Sequence, residues 1–111
     1  MKSITTAILV LLAIPASVWG QKMFEVKYES QANIKVFVVD YESQADLKIY
    51  FVEYESQAKK DGLWYFVEYE SQADKKVYFV EYESQADLTI FIVKYESQAG
   101  WENPEKQHLL L

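Results

Sequence analysis

Tyr41-Glu42-Ser43-Gln44-Ala45, followed by Asp46-Leu47-Lys48-Ile49-Tyr50-Phe51-Val52-Glu53, is the stretch whose reading decides the fold. Its first five residues recur at Tyr28, Tyr54, Tyr69, Tyr82 and Tyr95, so the six copies start 13, 13, 15, 13 and 13 residues apart. A period this strict is an architectural signal that outranks the reading of any single residue. Numbering each unit from its Tyr, position 10 is aromatic in all six: Phe24, Phe37, Tyr50, Tyr65, Tyr78 and Phe91. Position 12 is valine throughout: Val26, Val39, Val52, Val67, Val80 and Val93.

Positions 9 to 13 with the following Tyr are β-branched and aromatic, uninterrupted by Pro or Gly, and predict a strand. Strand alternation then separates two faces. One carries the aromatic at 10, Val at 12, Tyr at 1, Ser at 3 and Ala at 5, stays apolar or small in every unit, and is the expected core. The other carries 9 and 11, then an acid at 13, Glu at 2 and Gln at 4. Its apolar half is expected either as a second buried layer or as an exposed strip that forms a homodimer through an apolar sheet face, since monomers rarely expose so large a patch.

The polar linkers with Asp or Asn at position 6 are turn signals. The third, Lys59-Lys60-Asp61-Gly62, is two residues longer, and its Asp-Gly predicts a positive-φ turn. The fold class expected is all-β: a short parallel β-solenoid of six 13-residue units, each stacked in register on the next unit in sequence. The alternative is an antiparallel β-meander or small barrel. In-register stacking accounts for identical residues in every unit, but it also aligns Glu29, Glu42, Glu55, Glu70, Glu83 and Glu96 as an acidic ladder whose like charges repel. Lys27 and Lys94 at position 13, and Glu25 at position 11, are expected to protect terminal strand edges from further pairing.

Residues 1–20, with Lys2 before the apolar run Ile4–Val18 and a small-residue site ending at Gly20, read as a signal peptide, shorter than a membrane span. The expected division is 1–20 signal peptide, 21–103 repeat domain and 104–111 C-terminal tail, loose or with its leucines folded back over the last unit. The expected location is secreted or periplasmic, with no membrane insertion of the mature chain. Without cysteine, disulfides cannot supplement the small core. With 11 lysines, no arginine and a net charge of −6, the chain lacks the basic stripe of a nucleic-acid binder.

Catalytic constellations are sparse. The single histidine, His108, lies in the tail, no motif serine has a histidine at fixed offset, and the three glycines form no phosphate loop. The periodic acids look equivalent, unlike the dissimilar pair that glycoside hydrolysis requires. No cofactor is implied. The expected function is a non-enzymatic structural or interaction module. The alternatives are a weak glycan- or calcium-binding module and a hydrolase. Glycan would stack on the aromatics Phe51, Trp64, Phe66 and Phe79, and calcium would take oxygens from positions 2, 4 and 6.

The repeated Tyr-Glu-Ser-Gln-Ala-Asp with an aromatic-rich strand between copies resembles a family of small secreted bacterial repeat proteins described as a domain of unknown function. The resemblance runs from about Met23 to Gly100. It departs from the motif at Asn33, at the Lys59–Gly62 linker and at Gly100. It implies a bacterial source and export, and carries no activity.

Overall fold

The structure is a computed structural model that describes residues 21–111, so the expected signal peptide lies outside the described residues. Each unit contributes one short strand: β1 Gln21–Glu25, β2 Ile34–Val38, β3 Leu47–Phe51, β4 Leu63–Phe66, β5 Lys75–Phe79 and β6 Leu88–Ile92. A two-residue β7, Gly100–Trp101, pairs antiparallel with β3. The strands cover positions 7 to 11, or 8 to 11 in β4, and not the expected positions 9 to 13 with the following Tyr, because the backbone turns off the barrel after position 11; each Glu-Ser-Gln forms a single 3-10 turn.

The six main strands are all parallel, as expected, but apart from β3 and β4 successive units are not neighbours. The order is β4-β1-β5-β2-β6-β3, with β3 pairing back to β4, so the sheet closes into a barrel. The valine N–H at position 12 traces the ring. Val26 donates to Val77, Val80 to Val36, Val39 to Ile90, Val93 to Ile49, Val52 to Trp64 and Val67 to Met23, all at 2.8–2.9 Å. The solenoid with adjacent units stacked is therefore corrected. Closure belongs to the small-barrel alternative and parallel pairing to the solenoid. A closed ring also has no terminal edge, and β1 and β6 each lie between two partners. Glu25, Lys27 and Lys94 therefore do not protect edges.

Because β5 lies between β1 and β2, the chain must pass over β5 to get from one to the other. The turn Glu29–Gln31 packs on β5, Glu42–Gln44 on β6, Glu70–Gln72 on β1, Glu83–Gln85 on β2 and Glu96–Gln98 on β3. The chain circles the barrel more than once, the later strands filling gaps left by the earlier ones. The β3-to-β4 step alone goes to an adjacent strand without hopping over another, and that step carries the longer linker. Gly62 there has φ 96°, and a Cβ on it would stand 2.7 Å from the Lys48 carbonyl oxygen, which makes glycine the residue for this turn.

Two layers result. Position 9 points inward and is wholly buried in all six units (Met23, Val36, Ile49, Trp64, Val77, Ile90), with Ile34, Leu47 and Leu88 from position 7. The central core is thus the face carrying position 9, not the expected one. The other face forms an outer layer beneath the crossovers, in which Val52, Leu63 and Ala99 pack with Tyr50, Ala58 and Tyr65. Its parity fails at position 1, because the chain has left the strand and entered the 3-10 turn. The six motif tyrosines are 61–67 % exposed.

Candidate functional site

The motif residues are engaged in holding crossovers to the strands beneath them. The position 6 residue clips the position 8 residue of the crossed strand at two points. Asp46 N–H donates to the Thr89 carbonyl at 2.9 Å, and its carboxylate accepts the Thr89 N–H at 3.0 Å. The same clip joins Asn33 to Lys76, Asp74 to Lys22 and Asp87 to Lys35. Gln at position 4 turns back on its own unit: the Gln57 side-chain oxygen accepts the Tyr54 N–H at 2.9 Å, and Gln72, Gln85 and Gln98 do likewise.

The expected acidic ladder is dispersed, one glutamate to each crossover. Four of its members pair with position 8 lysines: Glu29 with Lys35, Glu42 with Lys48, Glu70 with Lys76 and Glu55 with Lys22, at 3.2–3.5 Å. These pairs are solvated and contribute little to stability. Glu83 and Glu96 have no ion-pair partner among the described residues. In their units position 8 is Thr89 or lies beyond the repeat. Most of the oxygens of the calcium alternative thus serve clips, caps and ion pairs. Among the described residues, no group of three His, Cys, Asp or Glu side chains gathers as a metal site. Two shallow grooves lie between neighbouring crossovers, one at Asn33, Glu70 and Lys76, the other at Glu29, Lys35 and Asp87. They are lined by the same clip residues.

The two ends of the barrel differ. At the end where the strands begin, the chain seals itself. Pro104–Leu110 forms a 3-10 segment that buries Leu110 against the central core, with Trp101 and Leu109 beside it. Positions 7 that are polar, Gln21 and Lys75, fall on adjacent strands under this segment. Gln21 Nε2 donates to the Leu110 main-chain oxygen and Lys75 Nζ to that of Leu111, both at 2.9 Å. Trp101 Nε1 donates to Asp61 at 2.8 Å, and Asn103 Nδ2 donates to Asp46 at 3.1 Å. Residues 104–111 are therefore not a loose tail: their leucines fold back, as the other expectation had it, but as a plug over this whole end of the barrel, β1 and β5 included, and not over the last unit alone.

At this end Asp46 holds a shifted pKa. Burial pushes its carboxyl up, but donation from the Thr89 N–H, Asn103 and the Thr89 hydroxyl, together with the Lys106 charge, outweighs burial and holds it below the usual value. Lys48 is raised by hydrogen bonding to Glu102 and then to Glu42.

At the other end, the mouth, the ring of position 11 side chains is left against solvent. Position 11 has the inward parity of position 9 but stands at the mouth, where it meets solvent. Round the ring it reads Glu25, Phe79, Val38, Ile92, Phe51, Phe66. Val38, Phe51 and Ile92 are 38–42 % exposed. Phe66 stands at the centre of an aromatic cluster. Its ring lies 5.5 Å from Phe51, 6.5 Å from Phe79 across the strand that bears Glu25, and 6.3 Å edge-on to Trp64.

All four aromatics singled out from the sequence thus come together, though not as a flat strip. Phe51, Phe66 and Phe79 line the mouth, and Trp64 lies buried below them. The Trp64 indole N–H has no acceptor among the described residues and no exposure, so it offers no polar handle to a sugar. What the sequence reading missed is Glu25 as a mouth residue. The signal was present, since it is the one charged residue at position 11.

Outside the apolar ring, position 13 supplies the exposed acids Asp40, Glu53, Glu68 and Glu81 and the lysines Lys27 and Lys94. Glu25 and these four acids make no ion pair among the described residues. His108 lies in the plug, its Nδ1 2.9 Å from the Glu105 carbonyl, at the opposite end from the mouth. Among the described residues no helix is long and apolar enough to cross a membrane.

A family model described as the 7(1) septoil knot domain matches residues 20–102. No curated protein and no solved structure matches the chain.

Proposed function

The chain belongs to the 7(1) septoil knot domain family, and from that premise and the geometry of its two ends we propose that it is a non-enzymatic interaction module, secreted or periplasmic in a bacterium, that binds through the open mouth. The observation that carries this reading is the asymmetry of the ends. The chain spends Trp101, Leu109 and Leu110 to close one mouth and leaves Val38, Phe51 and Ile92 in water at the other. An apolar ring on a rigid closed scaffold is the form a binding surface takes when its contacts are preorganised.

Glycan binding is the weaker second reading, because the mouth offers phenylalanines and one carboxylate rather than a set of convergent polar groups. Nile red, a neutral apolar dye, tests the mouth directly. Its fluorescence is expected to rise and saturate near one dye per chain, and the Phe51→Ser variant should reduce the affinity at least fivefold. Equal dye binding by wild type and variant would remove the mouth as the contact surface.

A further inference from the structure

We propose that the partner taken by the open mouth is a basic amphipathic peptide segment, an apolar side chain flanked by lysines or arginines, with one cationic head group seated beside Glu25. This inference rests on the mouth being the binding surface.

The apolar ring fits an apolar side chain, and the charges around it decide what accompanies that side chain. Five of the six position 11 residues are apolar; the sixth, Glu25, stands between Phe66 and Phe79 in the ring. Its register partner across the ladder to β5 is Val77, so no neighbour on that strand answers its charge. A cation beside it would gain the carboxylate and the faces of the flanking rings together, an arrangement stronger where water is excluded.

Around the ring, Asp40, Glu53, Glu68 and Glu81 face Lys27 and Lys94, so acids outnumber lysines at this end. On the crossovers four of the six motif glutamates are neutralised locally, as in the Glu29–Lys35, Glu42–Lys48 and Glu70–Lys76 pairs. The mouth is where negative charge is left unanswered beside exposed apolar surface. The net charge of −6 adds long-range attraction for a cationic segment.

The same charges disfavour the other occupants. A second copy docked mouth to mouth would oppose Glu25 and its acidic rim to an identical set, burying like charges. The chain's own segment 104–111 is committed to the sealed end. An anionic surface, lipid or nucleic acid, would meet the acidic rim.

The test uses the full chain and three capped hexapeptides, read by fluorescence anisotropy. The first is lysine-lysine-phenylalanine-leucine-lysine-lysine. The second replaces its lysines by serine, and the third replaces phenylalanine and leucine by serine. The first is expected to bind at least tenfold more tightly than either control, and more weakly as salt rises. Glu25→Gln should weaken it at least threefold and Phe51→Ser at least tenfold, while Glu105→Gln at the sealed end leaves it unchanged.

Two results would overturn the proposal in distinguishable ways. If the serine-flanked apolar peptide binds as well as the basic one and still loses affinity in Phe51→Ser, the mouth stands and the basic partner is wrong. If the basic peptide binds without regard to Phe51→Ser and Glu25→Gln, or no peptide binds at all, the mouth reading falls with it.

Discussion

The two ends of this barrel are built from the same repeat, yet one is a core and the other a surface. Strand starts and strand ends contribute inward-pointing positions of the same parity, 7 and 11. At the starts, Ile34, Leu47 and Leu88 disappear under the plug. At the ends, Val38, Phe51 and Ile92 are left in solvent. The difference teaches that repeat units do not specify burial by themselves. Position 9 is buried by the barrel itself, but a residue at either end of the inward face is buried only if something beyond the repeat covers it, and here that cover comes from residues after Ala99.

The largest expected effect comes from placing a charge at each end. Leu110→Asp puts a carboxylate into the dry contact between plug and core, with an expected loss of about 3 kcal/mol or more in urea unfolding. Phe51→Asp at the mouth is expected to cost less than ~1 kcal/mol, because the new carboxylate stays hydrated. Equal losses would break the distinction between the ends.

Gly62→Ala sharpens it next. The residue sits at the strand-start end, its φ of 96° is strained for any side chain, and its Cβ would meet the Lys48 carbonyl and the Gly100 nitrogen at 2.7 and 3.0 Å. A loss of roughly 1–3 kcal/mol is expected in the same denaturation series. A neutral result would mean that the β3-to-β4 step tolerates displacement.

The smallest effect is a pH dependence at the sealed end. The carboxyl of Asp46 titrates below its unfolded value. Its contribution is therefore present above the ordinary carboxylate pKa of about 4, and is lost as pH falls through the folded value. Unfolding midpoints for wild type and Asp46→Asn are expected to converge on acidification below that point. A constant gap between them across the range would show that the clip to Thr89 and the contacts to Asn103 and Lys106 do not depend on the charge.

Much of the local structure was legible in the unit. The β-branched and aromatic run Ile49-Tyr50-Phe51 marked a strand, though its expected span ran past the true end at Phe51, Asp46 marked a turn, and Asp61-Gly62 marked a positive-φ turn at the odd linker. The four aromatics named from the sequence do converge, because all four lie on inward positions of strands that meet at one mouth. Tyr54 was misplaced in the core face for a local reason: strict alternation was carried past Phe51, where the backbone leaves the strand, and the Tyr54 side chain reaches solvent.

Amino-acid order alone determined the period, the presence of a strand in each unit, the all-β class and the excess of negative charge, since each of these is encoded within thirteen residues or by simple composition. The pairing of β1 with β4 and β5 instead of β2, the closure of the ring, the plug and the exposed mouth were decided only by the tertiary structure. The reason is that near-identical units offer nearly the same edge to every other unit. Local chemistry cannot choose among them, and the choice falls to which arrangement satisfies every backbone edge and fills one barrel at once.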